Sequence, residues 1–363
     1  MKRPGLKKGT KIAVAMSGGL DSSAAVLLLK EAGYQPVGVT LLFWVDPLTR
    51  GSGDDLGDAR RVAADLGIAH QVIDMKDAFY EQVVSHFLLE YQGGRTPNPC
   101  LFCNRYLKFG LLLEKVRALG IDYLATGHYL RNTYNPDTGR FQLFRARDRS
   151  KDQSYMLYML TQEQLPDLLF PLGDFTKGEM RSKVREAGLS VADKKDSQEI
   201  CFIPDHDLRG FLKRYCPQPI TPGGIFSTKG EKLGEHSGLS FYTIGQRSGL
   251  GLTSPHPLYV VGIDPGRNAL IVGGKEDVFS GGLLAGNLNF ISGKIPGKVQ
   301  PIEVKIRYRA PSVSATLYPP QNGKARVIFA ERQKAVTPGQ AAVFYRGEEL
   351  LGGGTILQSY PVS

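Results

Sequence analysis

The sequence predicts an α/β protein with an N-terminal doubly wound parallel sheet, a small central mostly β domain and a C-terminal antiparallel β-barrel. Three observations carry that expectation. Over the first 130 residues, short apolar runs alternate with helical patterns, as repeated β–α–β units do. After about Asp205, Gly and Pro become frequent, as in Pro217 to Gly224, and Gly230 to Gly251 is Gly-rich with few helical periods. From about Leu284, short alternating segments are separated by turn signals such as Gln321-Asn322-Gly323 and Arg346-Gly347, a pattern of small barrels or sandwiches. The expected domains are 1–205, 206–278 and 279–363.

Taken in order, Ile12 to Met16 reads as a buried strand and Ser22 to Ala32 as an Ala- and Leu-rich helix. Pro36 to Phe43 reads as the second strand, followed by a helix near Asp54 to Leu66 and a strand at His70 to Ile73. Helical patterns near Ala78 to Tyr91 and Asn104 to Leu119 lead to a strand at Tyr123 to Thr126. In a parallel sheet, ligands sit beyond the carboxyl ends of the strands. Three segments lie at such ends: Ser17 to Ser23, the turn after Phe43, and Gly127-His128-Tyr129. In the last third, Ala341 to Tyr345 and Val304 to Tyr308 read as strands. On the latter, Lys305, Arg307 and Arg309 would share one face, and Ile306 and Tyr308 the other.

At 363 residues, with 42% hydrophobic and 22% charged residues, the chain can fill more than one core, which argues against disorder. The net charge of +10 points to a polyanionic partner but by itself does not separate a nucleic-acid binder from a basic enzyme. No run of about 18 apolar residues exists, so no transmembrane helix is expected. The basic start, Met1 to Lys11, is not followed by a long apolar region and cleavage site, so a cytoplasmic protein is expected. Four cysteines, two of them in Cys100-Leu101-Phe102-Cys103, do not look like a secreted disulfide framework. In a cytosolic chain such a pair is redox, catalytic or metal-binding more often than structural.

Ser17-Gly18-Gly19-Leu20-Asp21-Ser22-Ser23 lies between a predicted strand and a predicted helix. Two glycines let backbone approach a phosphate, and the helix start turns unpaired N–H groups and a positive dipole end toward it. Hydroxyls of Ser17, Ser22 and Ser23 can add hydrogen bonds. The bland alternative is a Gly turn with Ser or Asp capping the helix. The run lacks the Lys of a Walker loop and instead resembles the loop of the ATP pyrophosphatase family, whose members split ATP to AMP and pyrophosphate while adenylating a substrate.

Five further segments narrow the resemblance. They are Thr96 to Asn104 (TPNPCLFCN), Ala125 to Tyr129 (ATGHY), Lys151 to Tyr155 (KDQSY), Lys195 to Ile203 (KDSQEICFI) and Phe241 to Arg247 (FYTIGQR). In order and in spacing they resemble the tRNA-specific 2-thiouridylase family, over most of the chain. That resemblance implies ATP-dependent adenylation of the C2 oxygen of the wobble uridine of tRNA, followed by sulfur transfer from a cysteine persulfide. It implies an ATP site at Ala15, Met16, Ser17, Gly18, Gly19, Leu20, Asp21, Ser22, Leu41 and Gly127, with magnesium near Asp21. It implies tRNA contacts at Asn98, Pro99, Cys100, His128, Lys151, Asp152, Gln153, Arg307, Tyr308 and Gln340. The partners it implies are tRNAs for Glu, Gln and Lys, and an upstream sulfur donor, a cysteine desulfurase or relay protein.

The chemistry gives reasons for these residue types. Oxygen leaves uracil poorly, and adenylation converts it to AMP, a good leaving group. Sulfur must then arrive as a thiolate or persulfide nucleophile. By the family pattern Cys201 carries the persulfide and Cys103 is the nucleophile that frees its outer sulfur by forming a disulfide. The plainer reading of each cysteine is a small buried hydrophobe. Cys100 departs from the pattern, since many members carry Asp there. Two readings stay open: a third redox thiol, or a 4Fe–4S cluster held by Cys100, Cys103 and Cys201. Cys216 matches no motif and reads as structural.

Lys151 could equally be a solvated charge, and a lone His such as His128 is more often structural. The segment from Lys194 to Cys201 is expected to rearrange when tRNA binds. Other readings are a 4-thiouridine or lysidine synthetase, an amidotransferase-linked ligase, an iron–sulfur-dependent thiolase, or a non-catalytic RNA-binding protein switched by nucleotide.

Overall fold

The computed structural model describes residues 6–48, 55–194, 200–203 and 205–360. The first sheet contains β1 (Lys11–Ala15), β2 (Gln35–Leu42), β3 (His70–Asp74), β4 (Tyr123–Thr126) and, after a hairpin of β5 (Leu130–Asn135) and β6 (Arg140–Arg145), β7 (Leu168–Leu169). All pairings are parallel and the order is β3-β2-β1-β4-β7. The chain winds outward from β1 through β2 to β3, then returns to β4 on the other side. That reversal makes the gap beyond β1 and β4 a topological switch point, where such sheets take their ligands.

Alternation along β1 explains why both faces are covered. Ile12 and Val14 pack into one core with α1 (Leu20–Glu31), α2 (Asp55–Asp65) and the helix Lys177–Glu186. Ala13 points to the opposite core, built from Phe79, Phe87, Leu107, Phe109 and Leu113. The two expected helices on that side are each interrupted. The first is Lys76–Phe79, a π-helical Tyr80–Val84 and Ser85–Gln92; the second is Pro99–Phe102, a π-helical Cys103–Leu111 and Leu112–Ala118.

A helix, Leu208–Tyr215, leads into the central sheet of β8 (Gly223–Ser227), β9 (Lys232–His236), β10 (Tyr259–Asp264) and β11 (Ala269–Gly273). The remaining strands are β12 (Phe279–Phe290), β13 (Gln300–Lys305), β14 (Val313–Leu317), β15 (Ala325–Lys334), β16 (Ala341–Arg346) and β17 (Glu349–Tyr360). All neighbours among them are antiparallel, and β12 pairs with both β15 and β17, so the six strands close into a barrel. Asn322 and Gly323 both take positive φ (49° and 72°), as the turn signal there requires.

Two features depart from the sequence reading. The β5–β6 hairpin, inside the first expected domain, joins the barrel sheet: Leu143 and Phe144 pair with Leu350 and Glu349. β13 stops at Lys305, and Arg307 to Arg309 form a turn closed by Ala310 N–H donating to the Arg307 carbonyl at 3.1 Å. The expected sharing of one strand face by Lys305, Arg307 and Arg309 therefore fails: after the Val304–Phe344 and Lys305–Val343 pairs, the ladder has no further partner residues. Among the described residues no helix is long and apolar enough to cross a membrane.

Candidate active site

The loop between β1 and α1 stands at the switch point. Its shape needs glycine twice. Gly18 has φ +66° and a Cβ there would lie 2.5 Å from the Asp55 carbonyl; a Cβ on Gly127, just past β4, would lie 2.7 Å from the Asp21 carbonyl carbon. Gly19 precedes the first turn of α1, and no side chain caps that turn, so its N–H groups are left for a ligand. The capping alternative is thus not realised. Ser22 and Ser23 are buried and donate to the Gly19 carbonyl at 3.1 and 2.9 Å, while Ser22 Oγ accepts from Ser17 N–H. These two hydroxyls brace the loop, whereas Ser17 is exposed. Met16 N–H donates to the Val39 carbonyl, and Thr40 Oγ1 donates to the Met16 carbonyl, so Ala15, Met16 and Leu41 belong to the wall behind the loop.

Asp21 is held by two residues the sequence reading did not assign. Lys177 Nζ donates to both carboxylate oxygens at 2.7 and 2.8 Å, and Tyr129 OH donates to one at 3.0 Å. Lys177 is almost wholly buried, an expensive place for an ammonium unless it is paired. It begins a helix fixed by a capping box between Thr176 and Glu179. The T-x-x-E spacing marks that helix start in the sequence, but nothing local links it to a loop 156 residues earlier.

Tyr129 also joins the loop to the Lys151–Gln153 segment: its N–H donates to Gln153 Oε1 at 3.0 Å, and its carbonyl accepts from Gln153 N–H at 2.9 Å. Asp152 is buried and accepts from the Ala146 and Ser154 N–H groups and the Ser154 hydroxyl, so its carboxylate organises this turn from within. His128 accepts or donates at 2.7 Å with Thr126 Oγ1, and burial, then Lys108, pushes it down to about 3. It is a neutral ring, packed 5.7 Å from Phe109.

The thiols sit on the other wall. Asn98 caps the short helix Pro99–Phe102, its Oδ1 accepting Cys100 N–H at 3.1 Å, with Pro99 buried at the first turn. Cys103 is buried, Cys100 and Cys201 expose surface, and all four cysteines are free thiols. Burial pushes Cys103 up to about 11 and raises Cys100 as well. Burial, then the charges of Cys103 and Cys100, pushes Cys201 up to about 12. The three sulfurs thus lie near enough to act on one another's charge, with Cys103 inside the protein and Cys100 and Cys201 at the surface of one recess.

The half-buried Lys108 opposes burial at all three thiols, favouring the thiolate, and adds to burial at His128, where its charge also favours the neutral ring. The i→i+5 spacing of the π-helical stretch brings Lys108 round toward Cys103, a use typical of such bulges at functional sites. Sequence reading assumed α-helical spacing and missed it.

The expected motif at 195–199 lies outside the described residues. On its near side, Lys194 Nζ donates to Asp55 and Asp58, both at 2.8 Å, and to the Gly18 carbonyl at 3.4 Å. Beyond Cys201, the helix Leu208–Tyr215 is anchored to the turn after β2. The fully buried Asp46 carboxylate meets Arg214 at 2.8 Å and Tyr215 OH at 2.7 Å, and Trp44 packs edge-on against Tyr215 and Tyr80. Cys216 packs against the main core and is pushed by burial up to about 11, consistent with a structural place.

Arg307 donates to the Lys334 carbonyl at 2.5 Å, Tyr308 lies 6.0 Å from the Tyr155 ring, and Lys305 is over both rings. Gln340 donates to the Thr96 carbonyl at 2.7 Å. The structure thus gathers Asn98, Pro99, Cys100, Cys103, His128 and Gln153 around the strand ends. Arg307, Tyr308 and Gln340 approach from the barrel.

Among the described residues no group of three or more His, Cys, Asp or Glu is placed to hold a metal ion. The three cysteines, as placed, do not fit a 4Fe–4S cluster.

A phosphate-binding loop at the switch point, opening beside a recess of free thiols and joined to two β domains, defines an ATP-using domain of the HUP type in a multi-domain modifying protein. Residues 10–205 match the family described as tRNA methyl transferase HUP domain, residues 209–274 its PRC-barrel domain and residues 280–356 the aminomethyltransferase beta-barrel domain. The tRNA-specific 2-thiouridylase of Moorella thermoacetica is 51% identical over 351 residues, 94% of this chain and 98% of that protein. That of Carboxydothermus hydrogenoformans is 49% identical, covering 95% and 97%. One from Caldanaerobacter subterraneus is 48% identical, covering 97% and 99%. The chain belongs to the tRNA-specific 2-thiouridylase family.

Proposed function

We propose that this chain converts the wobble uridine of tRNA to 2-thiouridine, using ATP and a persulfide on Cys201. The observation that supports the reading is that Tyr129 binds Asp21 of the Ser17–Ser22 loop, while the charge of Lys108 reaches both the adjacent His128 and the three thiols. ATP enters with magnesium as its counter-ion. Open N–H groups of the first turn of α1, with Lys177 and Asp21 beside them, receive the phosphates. Uracil O2 attacks the α-phosphorus and pyrophosphate leaves. The outer sulfur of the Cys201 persulfide then attacks C2. The Cys103 thiolate attacks Cys201 Sγ, forming a Cys103–Cys201 disulfide; the electron pair left on the transferred sulfur closes C2=S and expels AMP. A dithiol must reduce that disulfide before the next turnover.

Arg307, Tyr308, Lys151 and Gln340 position the RNA, while Asn98, Pro99, Cys100 and His128 surround the extruded base, which is unpaired in an anticodon loop and cheap to flip. A neutral His128 suits stacking or hydrogen bonding to an uncharged base. tRNAs for Glu, Gln and Lys are the proposed substrates, and a cysteine desulfurase or relay protein the sulfur donor. Incubating each tRNA with ATP, magnesium and a persulfide donor, then measuring nucleosides by mass spectrometry, tests this; unchanged 2-thiouridine formation by Asp21→Ala would overturn the ATP assignment.

A further inference from the structure

Thr96 stands two residues before Asn98, the cap of the Cys100 helix, and it is touched by both β domains. Its N–H donates to the Pro338 carbonyl at 3.0 Å, and its carbonyl accepts from Gln340 Nε2 at 2.7 Å. Its hydroxyl shares a hydrogen bond with the Thr243 hydroxyl at 3.1 Å. Gly339, at φ +91°, lies so close that a Cβ would meet Thr96 N and O at 2.9 and 3.0 Å.

Each contact is rooted in its own domain. Gly339 N–H donates to the Ile356 carbonyl and Ile356 N–H to the Gln340 carbonyl, so the 338–340 turn is part of the barrel wall. Thr243 accepts Gln246 N–H at its carbonyl, and Val260 N–H donates to the Gln246 carbonyl, fixing this turn to β10. The triangle closes elsewhere. Gly94, at φ +67°, would put a Cβ 2.6 Å from Ile263, and Gly245, at φ +87°, one 2.6 Å from Ala335. Positive-φ glycines at three points of one small junction, with Gly339 in direct approach to the Thr96 backbone, mark a tightly specified contact rather than incidental packing. The Phe241–Arg247 motif, which the chemistry does not otherwise use, supplies the central domain's share.

We infer that Thr96 is a positioning residue: it sets the Asn98–Cys103 loop in register with the two β domains, so that RNA seated on those domains determines where the thiols stand. Gln340 makes the link direct. A side-chain amide has a second N–H and a carbonyl beyond the donor given to Thr96, which leaves Gln340 groups for the RNA contact proposed for it while it holds the thiol loop. This inference rests on the proposed tRNA thiolation. It deepens that reading by naming how substrate binding reaches the sulfur chemistry.

The test uses the full chain with Thr96→Val, Thr243→Val, the double variant and Thr96→Ser. The two Val variants keep shape and remove the shared hydroxyl bond. Each is expected to lower kcat for 2-thiouridine formation about fivefold, the value of one hydrogen bond, with KM for tRNA and for ATP unchanged. The double variant should be no worse than either single one, and Thr96→Ser should restore kcat. A second readout needs no turnover: the iodoacetamide alkylation rate of Cys100 should change on adding tRNA in the unaltered protein. It should be insensitive to bound tRNA in the Val variants. Unchanged kcat in both Val variants, a loss confined to KM, additive losses, or an alkylation response that survives in the variants would each overturn the inference. An unaltered protein that binds tRNA yet forms no 2-thiouridine would instead overturn the functional reading.

Discussion

Cys201 is exposed, yet its thiol is pushed up to about 12 by burial and by the neighbouring Cys103 and Cys100, while Cys103 stands at about 11. At pH 8 both thiols would be overwhelmingly protonated. The thiolate is the nucleophile, so both cysteines should be nearly inert in the resting protein despite one being accessible. Because the ordinary value lies near 8.5, a free surface thiol would level off as pH passes 9. Cys201 should not: its alkylation rate should rise about tenfold per unit from pH 7 to 9.5 with no plateau. Lys108→Met removes the cation that opposes this shift. At about 1 kcal/mol for the influence of a half-exposed ammonium, that substitution should slow alkylation roughly fivefold at each pH, and Lys108→Arg should not. The assay is peptide-level mass spectrometry after timed iodoacetamide pulses. A plateau at or below pH 8.5, or no effect of Lys108→Met, would refute the argument that burial guards these sulfurs and that Lys108 is their counter-charge.

Three other outcomes follow from the geometry. Gly18→Ala must place a Cβ 2.5 Å from the Asp55 carbonyl at φ +66°, so ATP affinity measured by calorimetry should fall more than about tenfold while tRNA affinity holds. Lys177→Met leaves Asp21 without its bidentate partner and a charge missing beside the phosphates; KM for ATP should rise at least about tenfold, and equal KM values would discard the phosphate role. Arg214→Met removes the charged partner of the buried Asp46 carboxylate, which keeps its hydrogen bonds from Tyr215 OH and Leu48 N–H, at a cost of about 3 kcal/mol in denaturant unfolding. Burial raises the Asp46 pKa, but the Leu48 N–H, Tyr215 OH and Arg214 outweigh it and hold the carboxyl below its ordinary value. The native state thus binds fewer protons there than the unfolded one. The contribution is present above the unfolded pKa and disappears as pH falls through the lower folded one, so the stability gap between the variant and the unaltered protein should narrow in acid.

What the sequence revealed, and what it did not, divides by range. Tyr123 to Thr126 matches its strand residue for residue, and Ser17 to Ser23 sits where a strand gives way to a helix, because both signals are local. The C-x-x-C and its Asn98 cap are also local, and the structure places them at the recess. Lys177 was invisible because its importance is a contact across 156 residues, although its helix start was readable. Lys108 was missed because the π-helical turn shifts which residues share a face. The β5–β6 hairpin reads as part of the first domain in sequence, yet its edge is completed by β17. Alternation beyond Lys305 misled, since basic and apolar residues also alternate through a turn.

The central claim is that one chain couples ATP-dependent activation to sulfur carried on cysteine. It is tested most directly by following two products in one reaction, pyrophosphate and 2-thiouridine, with substrate tRNA, ATP, magnesium and a persulfide donor. The unaltered protein should yield both. Cys201→Ser and Cys103→Ser should each still release pyrophosphate in a tRNA-dependent manner but form no 2-thiouridine beyond background. Wild-type levels of 2-thiouridine from Cys201→Ser would contradict the account.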